Sequence, residues 1–258
     1  MSVYISGLIR VVSPMRADLY LVEHGHFDSR ARAQAAIKAG LVKVGGRVLK
    51  KPSANIPDGA KVTSGDVHPY VSRGGMKLAH ALDVFNVDPA GRICLDVGSS
   101  TGGFTDVLLR RGATRVYAVD VGRDQLHPSL RDHKQVISME GQDARALSPI
   151  QFPEMLDLMV CDASFIALSK VLGVPLSLSR EAVMLVKPQF EVGRDNIGRG
   201  GIVKDGAEEA LEAVKVWLRG EGWQTVSTVD SPIEGGSGNS EYLLHAVRLQ
   251  TVHQGASS

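Results

Sequence analysis

Cysteine is nearly missing: two of 258 residues, Cys94 and Cys161. Both lie in apolar runs, which excludes a disulfide-stapled scaffold and marks them as core thiols of a reducing, cytoplasmic compartment. No Cys/His grouping has metal-ligand spacing, so no metal is expected. No apolar run approaches the roughly 18 residues that a membrane span needs. Residues 1–14 carry Arg10 inside their apolar part and no convincing cleavage site, so a signal peptide is not expected, and Met15 is a candidate start. Aromatic residues make up only 5%, but 43% of the chain is hydrophobic, enough for one large aliphatic core and one small one. Net charge is also slight, +1.

That near-neutrality hides an asymmetry. Residues 16–80 hold eleven Lys and Arg against five Asp and Glu, and the rest of the chain holds eighteen against twenty-three. A basic head on a mildly acidic body points to a polyanionic partner for the head.

Two familiar phosphate-binding patterns are absent as well. The run Ile93 to Thr105 reads as a buried strand, a Gly-rich turn and a helix start. No Lys follows Gly102 or Gly103, as a P-loop requires, and residues 98 to 103 read Gly-Ser-Ser-Thr-Gly-Gly, which is not the dinucleotide fingerprint. Asp96, at the strand's end, would repel a pyrophosphate but suits a ligand carrying ammonium and sulfonium charges, such as S-adenosyl-L-methionine. Further strand-like runs end in acids: Thr114 to Asp120, a run before Gln142-Asp143-Ala144, and Leu156 to Asp162. Asp120 stands where an acceptor for ribose hydroxyls is expected.

In the basic head, residues 16 to 24 are expected as a helix with Leu19, Val22 and Leu21 inward. Asp28 or Ser29 would cap a second helix, Arg30 to Ala39, with Ala33, Ala36 and Ile37 inward and Arg30, Gln34 and Lys38 forming an outer ridge. Leu41 to Val44 and Arg47 to Leu49, joined by Gly45-Gly46, form a hairpin. Pro52 to Gly59 is a loop, and Ala60 to Thr63 a last short strand. The stretches Arg16 to Val22, Ser29 to Ile37 and Gly40 to Val48 resemble the RNA-binding domain of a small-subunit ribosomal protein (S-four type). The resemblance implies binding of structured RNA through Arg16, Arg30, Arg32, Lys43 and Lys50.

The expected domains are 15–67 for RNA binding, 68–72 as linker and 73–250 for catalysis. In the last, Ser72 caps a helix to Phe85, with Leu78, Leu82 and Phe85 inward. A helix Gly102 to Arg111 follows the first strand, another runs from Ala167 to Leu178, and Ala182 to Val186 is a strand. A flexible lid through Gly193, Gly198, Gly200 and Gly201 precedes a helix 204–219. Strands Gln224 to Val229 and Glu241 to Val247 close the chain, and the tail after Gln250 is expected to be disordered. The fold class is α/β: an open, mostly parallel sheet with an antiparallel last strand, behind a small α+β domain; Asp96 to Asp106 and Leu185 to Glu191 give it a resemblance to the class I (Rossmann-like) methyltransferases.

Four charged residues sit at element boundaries of this sheet: Lys77, Asp162, Lys187 and Glu241. Strand tips of a parallel sheet open onto one crevice, and an antiparallel last strand would deliver Glu241 to the same rim. A lysine at a buried strand end is a candidate base, because burial disfavours its charged form. A ribose 2'-hydroxyl is a poor nucleophile and needs such a base. In this reading Lys187 takes the proton, Lys77 and Glu241 hold the hydroxyl and Lys187, and Asp162 sets the charge balance beside the cofactor.

Val71 to Leu78, Asp96 to Asp106, Cys161 to Ile166 and Leu185 to Glu191, in this order, resemble the TlyA (haemolysin A-like) ribosomal RNA 2'-O-methyltransferases, relatives of FtsJ. That family's Lys-Asp-Lys-Glu tetrad falls on Lys77, Asp162, Lys187 and Glu241. The resemblance implies S-adenosyl-L-methionine held by Asp96, Gly98, Ser99, Ser100, Thr101, Gly102, Gly103 and Phe104, with Asp120 and Val121 at the ribose and Asp143 and Ala144 at the adenine edge. It also implies Arg73 on RNA, cytidine of ribosomal RNA or subunits as substrate, and no protein partner. Two other readings are an inactive RNA-binding assembly factor and a membrane-active haemolysin, for which the sequence offers no spanning or long amphipathic segment.

Overall fold

The computed structural model describes residues 14–249, apart from 28, 66, 67, 154, 193–196, 204, 236 and 237. The readings of residues 1–13, of Asp28 as a cap, of Gly193 in a lid, of a helix start at residue 204 and of the tail lie outside the described residues. The chain divides into two compact units between Pro69 and Tyr70.

The first unit contains β1 (Met15–Arg16), α1 (Ala17–Glu23), α2 (Arg30–Lys38), β2 (Val42–Val44), β3 (Arg47–Val48), β4 (Asn55–Ile56) and β5 (Val62–Ser64). Its three-stranded sheet runs β3-β2-β5, and β1 pairs with β4. That second pairing was not expected: two-residue strands are too short to show a period-2 pattern, and β4 lies in the expected loop. Ser29 caps α2 by accepting from the Arg32 amide at 3.3 Å. Ala33, Ala36 and Ile37 of α2 are buried, as their spacing requires.

On α1 the inward face differs from the expected one. Ala17, Tyr20 and Leu21 are buried, whereas Leu19 is 38% exposed. The i, i+3, i+4 set beginning at Ala17 wins because it meets Ile37, Val42 and Ile56 in one apolar cluster.

The second unit contains α3 (Gly74–Phe85), β6 (Ile93–Val97), α4 (Gly103–Arg110), β7 (Arg115–Asp120), α5 (Pro128–Arg131), β8 (Val136–Glu140) and β9 (Leu156–Cys161). It continues with α6 (Leu168–Val171), α7 (Gly173–Ser177), β10 (Ser179–Val186), α8 (Pro188–Glu191), α9 (Ala207–Gly220), β11 (Trp223–Asp230) and β12 (Tyr242–Arg248). The seven-stranded sheet runs β11-β12-β10-β9-β6-β7-β8. β12 is antiparallel to β10 and β11, and β6 to β10 are mutually parallel. Helices α3 and α4 pack Leu78, Leu82, Val107 and Leu108 on one face, and α6, α7 and α9 pack Leu168, Leu176, Val214 and Leu218 on the other.

Two helix expectations need correcting. The helix expected over 167–178 is two short ones broken at Leu172, since Gly173 and Pro175 sit at its centre and proline has no N–H to donate to the preceding turn. Ser72 makes no side-chain cap of α3, whose N-cap is Arg73. Instead Ser72 Oγ occupies the space a Cβ at Gly103 would fill, 2.2 Å from it, so α3 and α4 begin in close contact. Tyr70 to Ser72 belong to this unit, with the Val71 amide donating to Asp106 Oδ2 at 2.9 Å.

Cys94 and Cys161 are free and buried, their thiols pushed up to about 12 by burial, which keeps them unreactive. Among the described residues, no helix is long and apolar enough to cross a membrane and no group of His, Cys, Asp and Glu could hold a metal.

Candidate active site

In the sheet order, chain direction reverses its progress between β6 and β9, the position at which open α/β sheets bind ligands outside the strand tips. The β6 tip turns at Gly98, φ +78, where a Cβ would lie 3.1 Å from the Ala163 backbone. Only glycine combines that left-handed turn with that close approach. The Gly98 and Ser99 amides donate to Val119 O, and the Ser100 amide donates to Asp120 Oδ2 at 2.8 Å, which binds the turn to the neighbouring strand tip.

Two cavities open at this point. One, of about 310 Å³, is lined by Ser72 to Gly74, Lys77, Gly98 to Thr101, Gly103, Phe104, Asp162, Ser164, Lys187 and Glu241. The other, of about 560 Å³, is lined by Asp120 to Gly122, Asp143 to Arg145, Ile166 and neighbours. They share Gly98, Ser100, Asp162 and Ser164.

All four charged residues meet on the smaller cavity, and they meet as two ion pairs. Lys77, in the first turn of α3, pairs with Glu241 just ahead of β12, and both are buried. Lys187, after β10, lies 2.6 Å from Asp162 Oδ1, after β9, and donates to Ser164 Oγ at 2.7 Å. The Asp162 contact is an ion pair without hydrogen-bond alignment, since Oδ1 has no hydrogen-bonded partner among the described residues. A buried lysine is costly unless paired, which accounts for a cation at the dipole-disfavoured start of α3.

The residues expected at a cofactor divide between the cavities. Ser99, Thr101, Gly103 and Phe104 line the charged one, Asp120, Val121, Asp143 and Ala144 the larger one, and Gly98 and Ser100 both. Asp143 also accepts from the Arg145 amide and guanidinium, and that guanidinium holds its carboxyl down at about 2. Two residues do not line either cavity. At Gly102, a Cβ would meet Leu130 and Leu126 at 2.3 and 2.8 Å, so it packs away from the ligand space. Asp96 is fully buried beneath the turn, accepting from the Thr105 hydroxyl at 2.6 Å, with Oδ1 unpartnered among the described residues.

The expected lid is tied down where it is described. Ile197 bridges Val203, and buried Asn239 bonds Gly201 O and the Val203 amide, each at 2.9 Å. Of the residues expected to meet RNA, Arg73 lines the charged cavity. Lys43 and Lys50 are exposed on the first unit and Arg32 is partly buried. Of the expected ridge, Arg30 and Lys38 are exposed, but Arg30 and Gln34 also reach the carboxylate of Asp18, as Arg16 does: Arg16 Nε at 3.1 Å, Arg30 Nη2 at 3.0 Å and Gln34 Nε2 at 2.8 Å. Ser164 and Phe165 received no role from sequence. The available signal was a hydroxyl and an aromatic directly after a strand-tip acid, and Phe165 is 90% exposed with φ +67.

A seven-stranded sheet of this order, with a glycine turn at its reversal point and an antiparallel last strand, defines the fold of the class I S-adenosylmethionine-dependent methyltransferases. Residues 70–248 match the FtsJ-like methyltransferase family and residues 15–62 the S4 domain. The chain is 44% identical to the 16S/23S rRNA (cytidine-2'-O)-methyltransferase TlyA of Mycobacterium tuberculosis, covering 92% of this chain and 90% of that one. It is 38% identical to Hemolysin A of Brachyspira hyodysenteriae, over 90% of this chain and all of the other. A solved structure described as a candidate hemolysin from Streptococcus thermophilus superposes with a TM-score of 0.73 at 40% identity, over 92% of this chain and 90% of that one. The chain belongs to the FtsJ-like methyltransferase family, in the TlyA branch that carries an N-terminal S4 domain.

Proposed function

We propose that this protein methylates the ribose 2'-hydroxyl of a cytidine in ribosomal RNA, in the cytoplasm, with S-adenosyl-L-methionine as donor. The observation that carries the reading is the pairing of Lys77 with Glu241 and of Lys187 with Asp162 on one cavity, joined to an adenosine-sized cavity through Gly98, Ser100, Asp162 and Ser164. The residues fit that donor. Gly98 and Ser100 stand on the wall of both cavities, and Ser99 Oγ, on the smaller one, is buried without a partner among the described residues. The larger cavity combines the carboxylates of Asp120 and Asp143 with apolar Val121 and Ile166, a suitable lining for ribose hydroxyls and a purine ring. When bound, S-adenosyl-L-methionine supplies a methyl group on a sulfonium centre, already activated for in-line displacement.

The protein's part is to place and deprotonate the hydroxyl. Lys187, as the free amine, takes the 2'-hydroxyl proton, and the Asp162 carboxylate beside it stabilises the ammonium that forms. Lys77, held by Glu241, donates to the ribose oxygen and stabilises its developing negative charge. Arg73 at the same cavity meets a phosphate of the acceptor strand, and the exposed ring of Phe165 offers a stacking surface for the acceptor base.

Unmodified ribosomal subunits incubated with the enzyme and isotopically labelled donor test this directly. Mass-spectrometric mapping is expected to place the label on the ribose of a cytidine. Lys187→Ala is expected to lower turnover by at least about a hundredfold with cofactor affinity by calorimetry nearly unchanged. Label on a base, or full turnover by Lys187→Ala, overturns the assignment.

A further inference from the structure

We propose that Ser164 is a positioning residue that aims the Lys187 amine at the acceptor hydroxyl. The inference rests on Lys187 being the base. An amine on a four-carbon stem swings freely unless at least two contacts fix its direction. Asp162 supplies one contact, an ion pair that lacks hydrogen-bond alignment, and the Ser164 hydroxyl accepts the directional bond at 2.7 Å. With one N–H on Ser164 and another towards Asp162, the lone pair of the free amine is left in a fixed tetrahedral direction. Without Ser164, only the contact with Asp162 would be left, and a contact that lacks hydrogen-bond alignment does not fix the direction of the amine.

Location supports the same role. Ser164 is one of four residues that line both cavities, so it stands on the wall that a transferred methyl group must cross. The chain bends sharply beside it: Phe165 is one of the few non-glycine residues with positive φ, a local cost that persists only where the surroundings enforce it. Two further contacts join the segments after β9 and β10. The Phe165 and Phe190 rings lie 5.3 Å apart, and the Leu168 amide donates to Glu191 Oε1 at 2.8 Å. Burial pushes the Glu191 carboxyl up, and that amide bond opposes the shift. The two segments therefore stay together without the hydroxyl, and Ser164 itself is exposed. Removing its oxygen should disturb the amine and little else.

Ser164→Ala, Ser164→Thr and Lys187→Ala are to be compared on unmodified ribosomal subunits. For Ser164→Ala, kcat is expected to fall about tenfold to a hundredfold, the scale of a misplaced reacting group. KM for RNA, cofactor affinity and melting temperature are expected to match the parent. Ser164→Thr, which keeps the hydroxyl, is expected to recover kcat to within about threefold. Parental kcat in Ser164→Ala, no recovery in Ser164→Thr, or a loss of kcat matched by a loss of cofactor affinity would each overturn the proposal. Full turnover by Lys187→Ala would overturn the underlying reading instead, so the two failures are distinguishable.

Discussion

Each unit encloses a carboxylate completely, Asp18 in the first and Asp96 in the second, and their surroundings drive them in opposite directions. Asp18 is covered by the groups that bond to it, Arg16, Arg30 and Gln34, and the two arginine side chains are themselves about half exposed. The Arg16 guanidinium, with Gln34 and Arg30, holds its carboxyl well below the usual carboxylate range. Asp96 lies under the glycine turn among apolar strands, with Thr105 as its hydrogen-bond donor and, among the described residues, no cation paired with it, and burial pushes it up to about 7. The difference shows that zero exposure does not by itself decide ionisation. The partners that replace water decide it.

Three experiments would break or sharpen this contrast. The largest effect is expected from Asp18→Asn, which leaves two guanidinium groups without their carboxylate. It should destabilise the first unit by roughly 1–3 kcal/mol, read as lost hydrogen-exchange protection in α1. A lowered folded value means that the charge contribution is present above the unfolded value near pH 4 and lost as pH falls through the folded one. The variant should therefore show a shallower loss of stability below about pH 4.

Asp96→Asn should act with the opposite sign. A raised folded value means stability that is full below about pH 4 and lost as pH rises through about 7. Parent and variant are expected to melt alike below about pH 4, and the variant at progressively higher temperature than the parent up to about pH 8, by differential scanning calorimetry. Equal pH profiles would mean that Asp96 stays charged when buried.

The smallest effect is expected from Lys43→Ala combined with Lys50→Ala, two exposed cations of the first unit that make none of the bonds surrounding Asp18. RNA affinity should fall modestly, and the slope of log K against log salt should flatten by about one to two. No change would move the RNA surface of this unit elsewhere.

The parts that were legible in the chain were local or periodic. Near-continuous apolar runs marked β6, β7, β9 and β10, and the acids and lysines at their ends were legible as one rim because parallel strand tips face the same way. The Arg30–Gln34–Lys38 spacing, by contrast, gave an outward ridge, and two of its three members, Arg30 and Gln34, turned out to reach a buried acid on another helix. Helix periodicity reports which side a residue stands on, not how a long side chain bends back. Leu19 misled for a related reason: a two-turn helix offers several apolar stripes, and the neighbouring cluster selects one. The β1–β4 pairing escaped because two residues carry no period.

By itself, then, the sequence determined the order of strands and helices, the glycine turn at the β6 tip, and that four charged residues stand at element ends. Tertiary structure alone decided the partners: Lys77 with Glu241, 164 positions away, Lys187 with Asp162 and Ser164, and Asp96 beneath the floor instead of on it. The physical reason is that backbone conformation follows from neighbours in the chain, whereas an ion pair forms wherever packing leaves two charges close together with no water between them.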